Sequence, residues 1–287
     1  MFSVIHFSDK LNFSGEDYPS YKQRIDSEAS RLLALAAERE IYVTTDYSSD
    51  ELKPGSIAYH PVKGLIIADS YYWFSSKQFV QDLIAAEANP SINAHFLHVK
   101  SPGGEAWYLD EVAKTLTGLD KPVYTLVEKI AASAAYYIGV HGKVVKAMTQ
   151  NDLIGSIGTM VDGLNIMGYF EKLGIRRIRE VATRSDLKNK KYEDLMNGKP
   201  EQFIREELDP LQQQFEAAVR AARPQLNDLP EDGPVFRGES FYASPPAIEK
   251  KLIDGLTSFD DALDEADAMG KEWARKQNNR KSLMSYL

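Results

Sequence analysis

The chain contains no cysteine. Disulfide frameworks, thiol nucleophiles and thiolate metal sites are therefore excluded together. It also lacks an excess of positive charge: 34 basic side chains stand against 42 acidic ones, a formal net charge of -8. Such a surface repels phosphate backbones, so no nucleic-acid partner is expected. No apolar run reaches the length of a membrane span. The segment from Met1 to Phe7 meets Asp9 and Lys10 before a signal-peptide core could form. The expectation is a soluble, cytoplasmic protein. Nothing calls for a metal or a cofactor, and none is expected.

With 43% hydrophobic residues over 287 positions, the chain can bury one good-sized core with a smaller appendage. Leu32, Leu33, Leu35 and Ala36 recur at helical spacing, predicting an amphipathic helix between about 15 and 40. From Ser56 onward, short apolar runs alternate with helical segments. Strands are expected at Ser56–Val62, Gly64–Ala68, His95–Val99, Pro122–Val127 and Lys143–Met148. Helices are expected at Ser75–Ala88, Glu105–Leu116 and Ser133–Val140. This is the α/β alternation of a mainly parallel sheet.

After Ile175 the chain turns charged and helical through Ala222, broken by Pro200, Pro210 and Pro224, as a lid, arm or subunit contact would be. Beyond it come a strand-like Val235-Phe236-Arg237 and helices over Pro246–Leu252 and Phe259–Ala274. The tail from Lys271 carries five basic residues and one acid and reads as a solvated or disordered end.

Three segments carry chemistry. Ser101-Pro102-Gly103-Gly104 follows a strand and precedes a helix. Two glycines at such a turn expose backbone N–H groups where negative charge develops. Ala131-Ala132-Ser133-Ala134-Ala135 opens the next helix, and its small residues let a substrate approach Ser133. Gly155-Ser156-Ile157-Gly158-Thr159-Met160 is a glycine-bracketed strand start that lines a cleft or packs a turn. It lacks the spacing of a dinucleotide fingerprint.

Ser133 needs a base. His141 lies eight residues on in the same expected helix, about 12 Å along its axis, and is out of reach. His95 and His98 fall within a strand, where structural roles are usual. A lysine kept neutral by burial is the other known activator. The segment Ala182 to Lys191 offers Lys188, Lys190 and Lys191, and spacing alone does not choose among them.

Together the segments resemble the signal peptide peptidase A family of Ser/Lys-dyad serine peptidases. Ser101-Pro102-Gly103-Gly104, Lys121-Pro122-Val123, Ala132-Ser133 before Tyr136-Tyr137, and Gly155-Ser156-Ile157-Gly158 follow in family order. Arg237-Gly238, Ala247 and Leu252-Ile253-Asp254 resemble its closing segment. Two departures are Ala134-Ala135 where the family has Gly-Gly after the nucleophile, and Arg184-Ser185 in place of a small pair before the lysine.

The resemblance implies an α/β fold of the Clp protease and crotonase kind, built of β-β-α units with a helical arm. It implies a peptidase domain over 55–260 with the arm at about 183–225, a helical extension over 1–54, and a C-terminal helix and tail over 261–287. The register from Ile175 through Val181 places the family's lysine at Lys188. In that reading Ser133 attacks the scissile carbonyl, Gly103, Gly104 and Ala134 hold the oxyanion, and Ser101, Gly155, Ser156 and Ile157 contact a protein or peptide substrate.

Short members of this kind, encoded by phages, assemble as homo-oligomeric rings and process capsid or scaffold proteins. The prohead is then a second possible compartment. An inactive scaffold subunit and a crotonase-like acyl-CoA enzyme are the competing readings on the same fold.

Overall fold

The structure, a computed structural model, describes residues 38–284 and the isolated positions 23, 27, 30, 34 and 36. Most of the expected N-terminal helix lies outside the described residues. Its Ala36 is buried in the core.

The chain runs β1 (Val43–Thr44), β2 (Ser56–Ile67), β3 (Phe74–Ser75), α1 (Ser76–Ala88), β4 (Ile92–Gly104), α2 (Leu109–Gly118), β5 (Val123–Ala132) and α3 (Ala134–Gly139). There follow β6 (Val144–Ala147), β7 (Leu153–Gly155), α4 (Met167–Lys172), α5 (Lys190–Met196), α6 (Asp209–Ala222), β8 (Ser240–Tyr242), β9 (Gly255–Leu256) and α7 (Phe259–Met284). The main sheet has the order β1-β2-β4-β5-β6-β9, with β3 on β2 and β7 on β5. Every pairing is parallel except that of β7 with β8. This is the expected α/β architecture.

Side chains alternate across a pleated strand, and β4 and β5 feed two cores this way. Leu97, Val99, Val123 and Val127 pack beneath α1, α2, α3 and α6. Phe96, Tyr124 and Leu126 face the opposite side, against Ala262, Leu263 and Ala266 of α7. The Phe96 and Tyr124 rings stack with centroids 5.5 Å apart.

Four local expectations are corrected. Ser101-Pro102-Gly103-Gly104 is not a turn entering a helix but the end of β4, still paired with β2 at Leu65↔Gly103 and Ile66↔Gly104. Gly155 ends a strand rather than starting one. Val235-Phe236-Arg237 forms a 3₁₀ turn, Pro234–Arg237, because Pro234 presets its first φ and Gly238 stops it at φ +81°. Only a π-turn over Ala243–Ala247, with Pro246 inside, begins the helix expected at Pro246–Leu252.

The tail from Lys271 is also helical, since α7 continues to Met284. Lys271 pairs with Asp267 and Lys276 with Glu272 at i,i+4 spacing. Trp273 and Gln277 both donate hydrogen bonds to Asp120, which ties the helix to the body. Among the described residues, no helix is long and apolar enough to cross a membrane.

Candidate active site

Ser133 occupies the single residue between β5 and α3, with φ 54° and ψ -127°. A non-glycine residue held in that region stores strain, which persists where the surroundings over-determine it. The determinants here are visible. Ser133 N–H donates to Gly155 O at 2.9 Å, and Ser133 O accepts Tyr137 N–H at 2.9 Å to start α3. The helix is pinned in turn by Tyr136, whose hydroxyl donates to Leu252 O at 2.8 Å. That buried hydroxyl is pushed up from the usual tyrosine range by desolvation. Asp254, just beyond Leu252, accepts Val145 N–H at 2.7 Å and pairs with Arg223 at 2.7 Å. The closing segment therefore fixes the helix that follows Ser133.

Ser133 is 4% exposed, and its Oγ has no hydrogen-bond partner among the described residues. Strand β4 shifts register against β2 and against β5 just before Gly103. Such irregularities re-aim backbone at functional edges. They bring Gly103, at φ +103°, against Ser133: a β-carbon there would lie 2.8 Å from Ala132 O and 3.0 Å from Ala134 N. Ala134, as the first residue of α3, has an amide with no intrahelical acceptor. The Gly103 N–H donates to the buried Ser101 Oγ at 3.1 Å. Gly104 pairs with Ile66 of β2, and a β-carbon on it would meet that residue's backbone.

Two cavities meet at Ser133. One, of about 450 Å³, is lined by Ser133, Ser156, Thr159, Gln212 and Arg237, among others. The other, of about 210 Å³, runs past Trp107, Leu109, Tyr137, Leu211 and Phe215. Of the expected substrate-binding residues, Ser156 lines the first cavity. Ser101 and Gly155 act through the backbone of Gly103 and Ser133. Ile157 is fully buried, and its carbonyl accepts Gly238 N–H at 3.1 Å. Sequence reasoning missed Gln212, Arg237, Trp107 and Phe215, which come from segments remote in the chain. Gln212 links its helix to two other segments, accepting Thr159 N–H at 3.0 Å and donating to Phe236 O at 3.0 Å.

No histidine lines either cavity among the described residues. His141 Nδ1–H donates to Tyr137 O at 2.9 Å, and burial lowers its pKa. His95 bonds His60 at 3.0 Å and Glu87 at 3.1 Å within the sheet layer. No lysine lines the cavities either. Lys190 pairs with Asp194, and Lys191 with Glu207. Lys188 is exposed with no side-chain partner among the described residues, in a separate hollow of about 330 Å³ beside Ser185. Lys188 thus lines neither of the two cavities at Ser133. The described residues hold no group of acidic or histidine side chains able to bind a metal.

The sequence profile of peptidase family S49 matches residues 117–273. The chain belongs to that family of serine peptidases. The Clp protease profile matches residues 62–153, in agreement with the parallel sheet and its helices. The chain is similar to the Enterococcus faecium protein named "Putative signal peptide peptidase SppA", with 27% identity over 262 residues, covering 83% of this chain and 71% of that one.

Proposed function

We propose that this family S49 member is an endopeptidase in which Ser133 is acylated and Lys188, supplied by a second copy of the chain, is the general base. The observation that carries the reading is the strained Ser133 hydroxyl, unpartnered among the described residues, at the junction of two cavities that no described histidine or lysine lines. The segment bearing Lys188 supports the second half. Leu164 and Ile178 are each 88% exposed there, beside exposed Tyr169, Leu173 and Leu187. Apolar side chains grouped in this way favour coverage by another protein surface. Of the three candidate lysines, Lys188 alone has no side-chain partner among the described residues.

In this mechanism neutral Lys188 takes the Ser133 proton as Oγ attacks the scissile carbonyl. The Gly103 and Ala134 N–H groups stabilise the oxyanion, Gly103 leaving Ser101 to do so. The lysine proton then passes to the departing amine. Water, deprotonated by the same lysine, releases the acyl group as a carboxylic acid. Unstructured polypeptide is the substrate class. Capsid or scaffold processing is one such job, supported by the resemblance to short members alone.

Mixing two inactive variants tests the reading. Ser133→Ala and Lys188→Ala should each fail to cleave a disordered protein, while the mixture regains activity because some sites combine an intact serine with an intact lysine. Undiminished cleavage by Ser133→Ala would remove the serine mechanism. A mixture as inactive as its components would return the base to the same chain or to another residue.

A further inference from the structure

The two cavities at Ser133 differ in charge. Among the described residues, Arg237 is the one charged side chain lining the larger, and Asp110 the one lining the smaller. Ser133 and Thr159 belong to both, so a polypeptide reaching the nucleophile meets opposite charges on its two sides.

Arg237 is placed by rigid backbone rather than by a flexible loop. It ends the 3₁₀ turn begun at Pro234, and Gly238 after it is held by the bond from its N–H to Ile157 O. The backbone at Gly238 also approaches Gly158 so closely that a β-carbon on Gly158 would lie 3.0 Å from Gly238 Cα. Gln212 fixes the same turn through Phe236 O. The guanidinium is exposed and has no ion-pair or hydrogen-bond partner among the described residues. In a chain with more acidic than basic side chains, an unpaired arginine in a cleft free of carboxylates is a preformed acceptor site for an anion.

Resting on the peptidase reading above, we infer that Arg237 is a specificity residue, selecting polypeptides with an aspartate or glutamate on the Arg237 side of the scissile bond. Asp110 adds direction. It repels an acidic side chain from the smaller cavity, whose walls of Trp107, Leu211 and Phe215 suit an apolar one. The favoured cleavage sequence therefore carries an acidic residue on one side of the cut and an apolar residue on the other.

Matched peptides differing only by Glu or Gln, with the acid moved along both sides of the cut, measure this preference. The wild type should cleave the Glu peptide at least about fivefold better at one position, as a partly desolvated arginine–carboxylate contact provides. Arg237→Lys should keep that preference, and Arg237→Glu should transfer it to a Lys peptide at the same position. Comparing ratios within each variant cancels any general loss of activity. Equal cleavage of Glu and Gln peptides by the wild type at every position, or an unchanged Glu preference in Arg237→Glu, overturns the inference. If the wild type cleaves none of the peptides and no disordered protein, the peptidase reading itself fails and takes this one with it.

Discussion

Gly103 and Ser133 are packed so closely that a β-carbon on Gly103 would lie 2.8 Å from Ser133 Cβ. Gly103 lies in β4 and Ser133 directly follows the neighbouring β5, so the sheet itself sets the distance between the proposed nucleophile and a proposed oxyanion donor.

Gly103→Ala should therefore disable the site before it unfolds the protein. The methyl group must displace Ser133, and φ +103° is strained for alanine. Loss of a positioned oxyanion donor costs about 100-fold or more in kcat, with a stability loss of about 1–3 kcal/mol from the strained backbone. Turnover on a disordered protein, set beside a thermal melt, separates the two effects. Near-normal turnover would remove Gly103 from the site. Gly104→Ala makes a useful contrast, because its β-carbon would meet Ile66 O at 1.9 Å and break the pairing of β2 with β4.

Lys121 stands in the family-like Lys121-Pro122-Val123 segment, yet its role is structural. Its Nζ donates to Ala86 O at 2.9 Å and to Glu87 O and Asn89 O at 2.7 Å each, closing the C-terminus of α1. A cation there satisfies carbonyls that a helix end leaves unpaired and complements its dipole. Burial lowers its pKa while Glu87 opposes that shift. Lys121→Met keeps the apolar stem and loses the three bonds, so the expected cost is about 2 kcal/mol. Denaturant unfolding measures it. Unchanged stability would mean that water replaces the ammonium without penalty.

The sheet was legible because its strands are bounded by Gly, Pro and polar turns, and Ser133 because small residues flank it at a strand–helix junction. The end of β4 was not. Pro102 and two glycines signal a turn locally, but pairing with β2 carries the strand through them. The same holds for α7: a basic run looks solvated in sequence, while Trp273 and Gln277 anchor it to Asp120, more than a hundred residues away in the chain. Gln212 had no local signal at all, and Arg237 had only the resemblance of Arg237-Gly238 to the family's closing segment, which did not place it at the site. Their place beside Ser133 follows from contacts of Gly158 with Gly238 and of α6 with the turn at Phe236, which only the folded chain creates.

Glu128 ties the sheet to pH. It lies on β5 four residues before the strand ends at Ala132, and its carboxylate contacts His98 Nε2 at 3.0 Å and Lys100 Nζ at 2.5 Å. The His98 hydrogen bond is the largest influence holding its pKa down to about 2, against a desolvation that acts the other way. A folded-state pKa below the unfolded value of about 4.3 means that the carboxylate stabilises the fold above that pH. The contribution is lost as the pH falls from about 4.3 towards 2. Melting temperatures of wild type and Glu128→Gln should accordingly differ most above about pH 5 and converge towards pH 2. Other carboxylates also titrate in that range, but they do so in both proteins, so the difference isolates Glu128. A gap that stays constant across the range would show that the ionised form of Glu128 has no preferential partner in the fold.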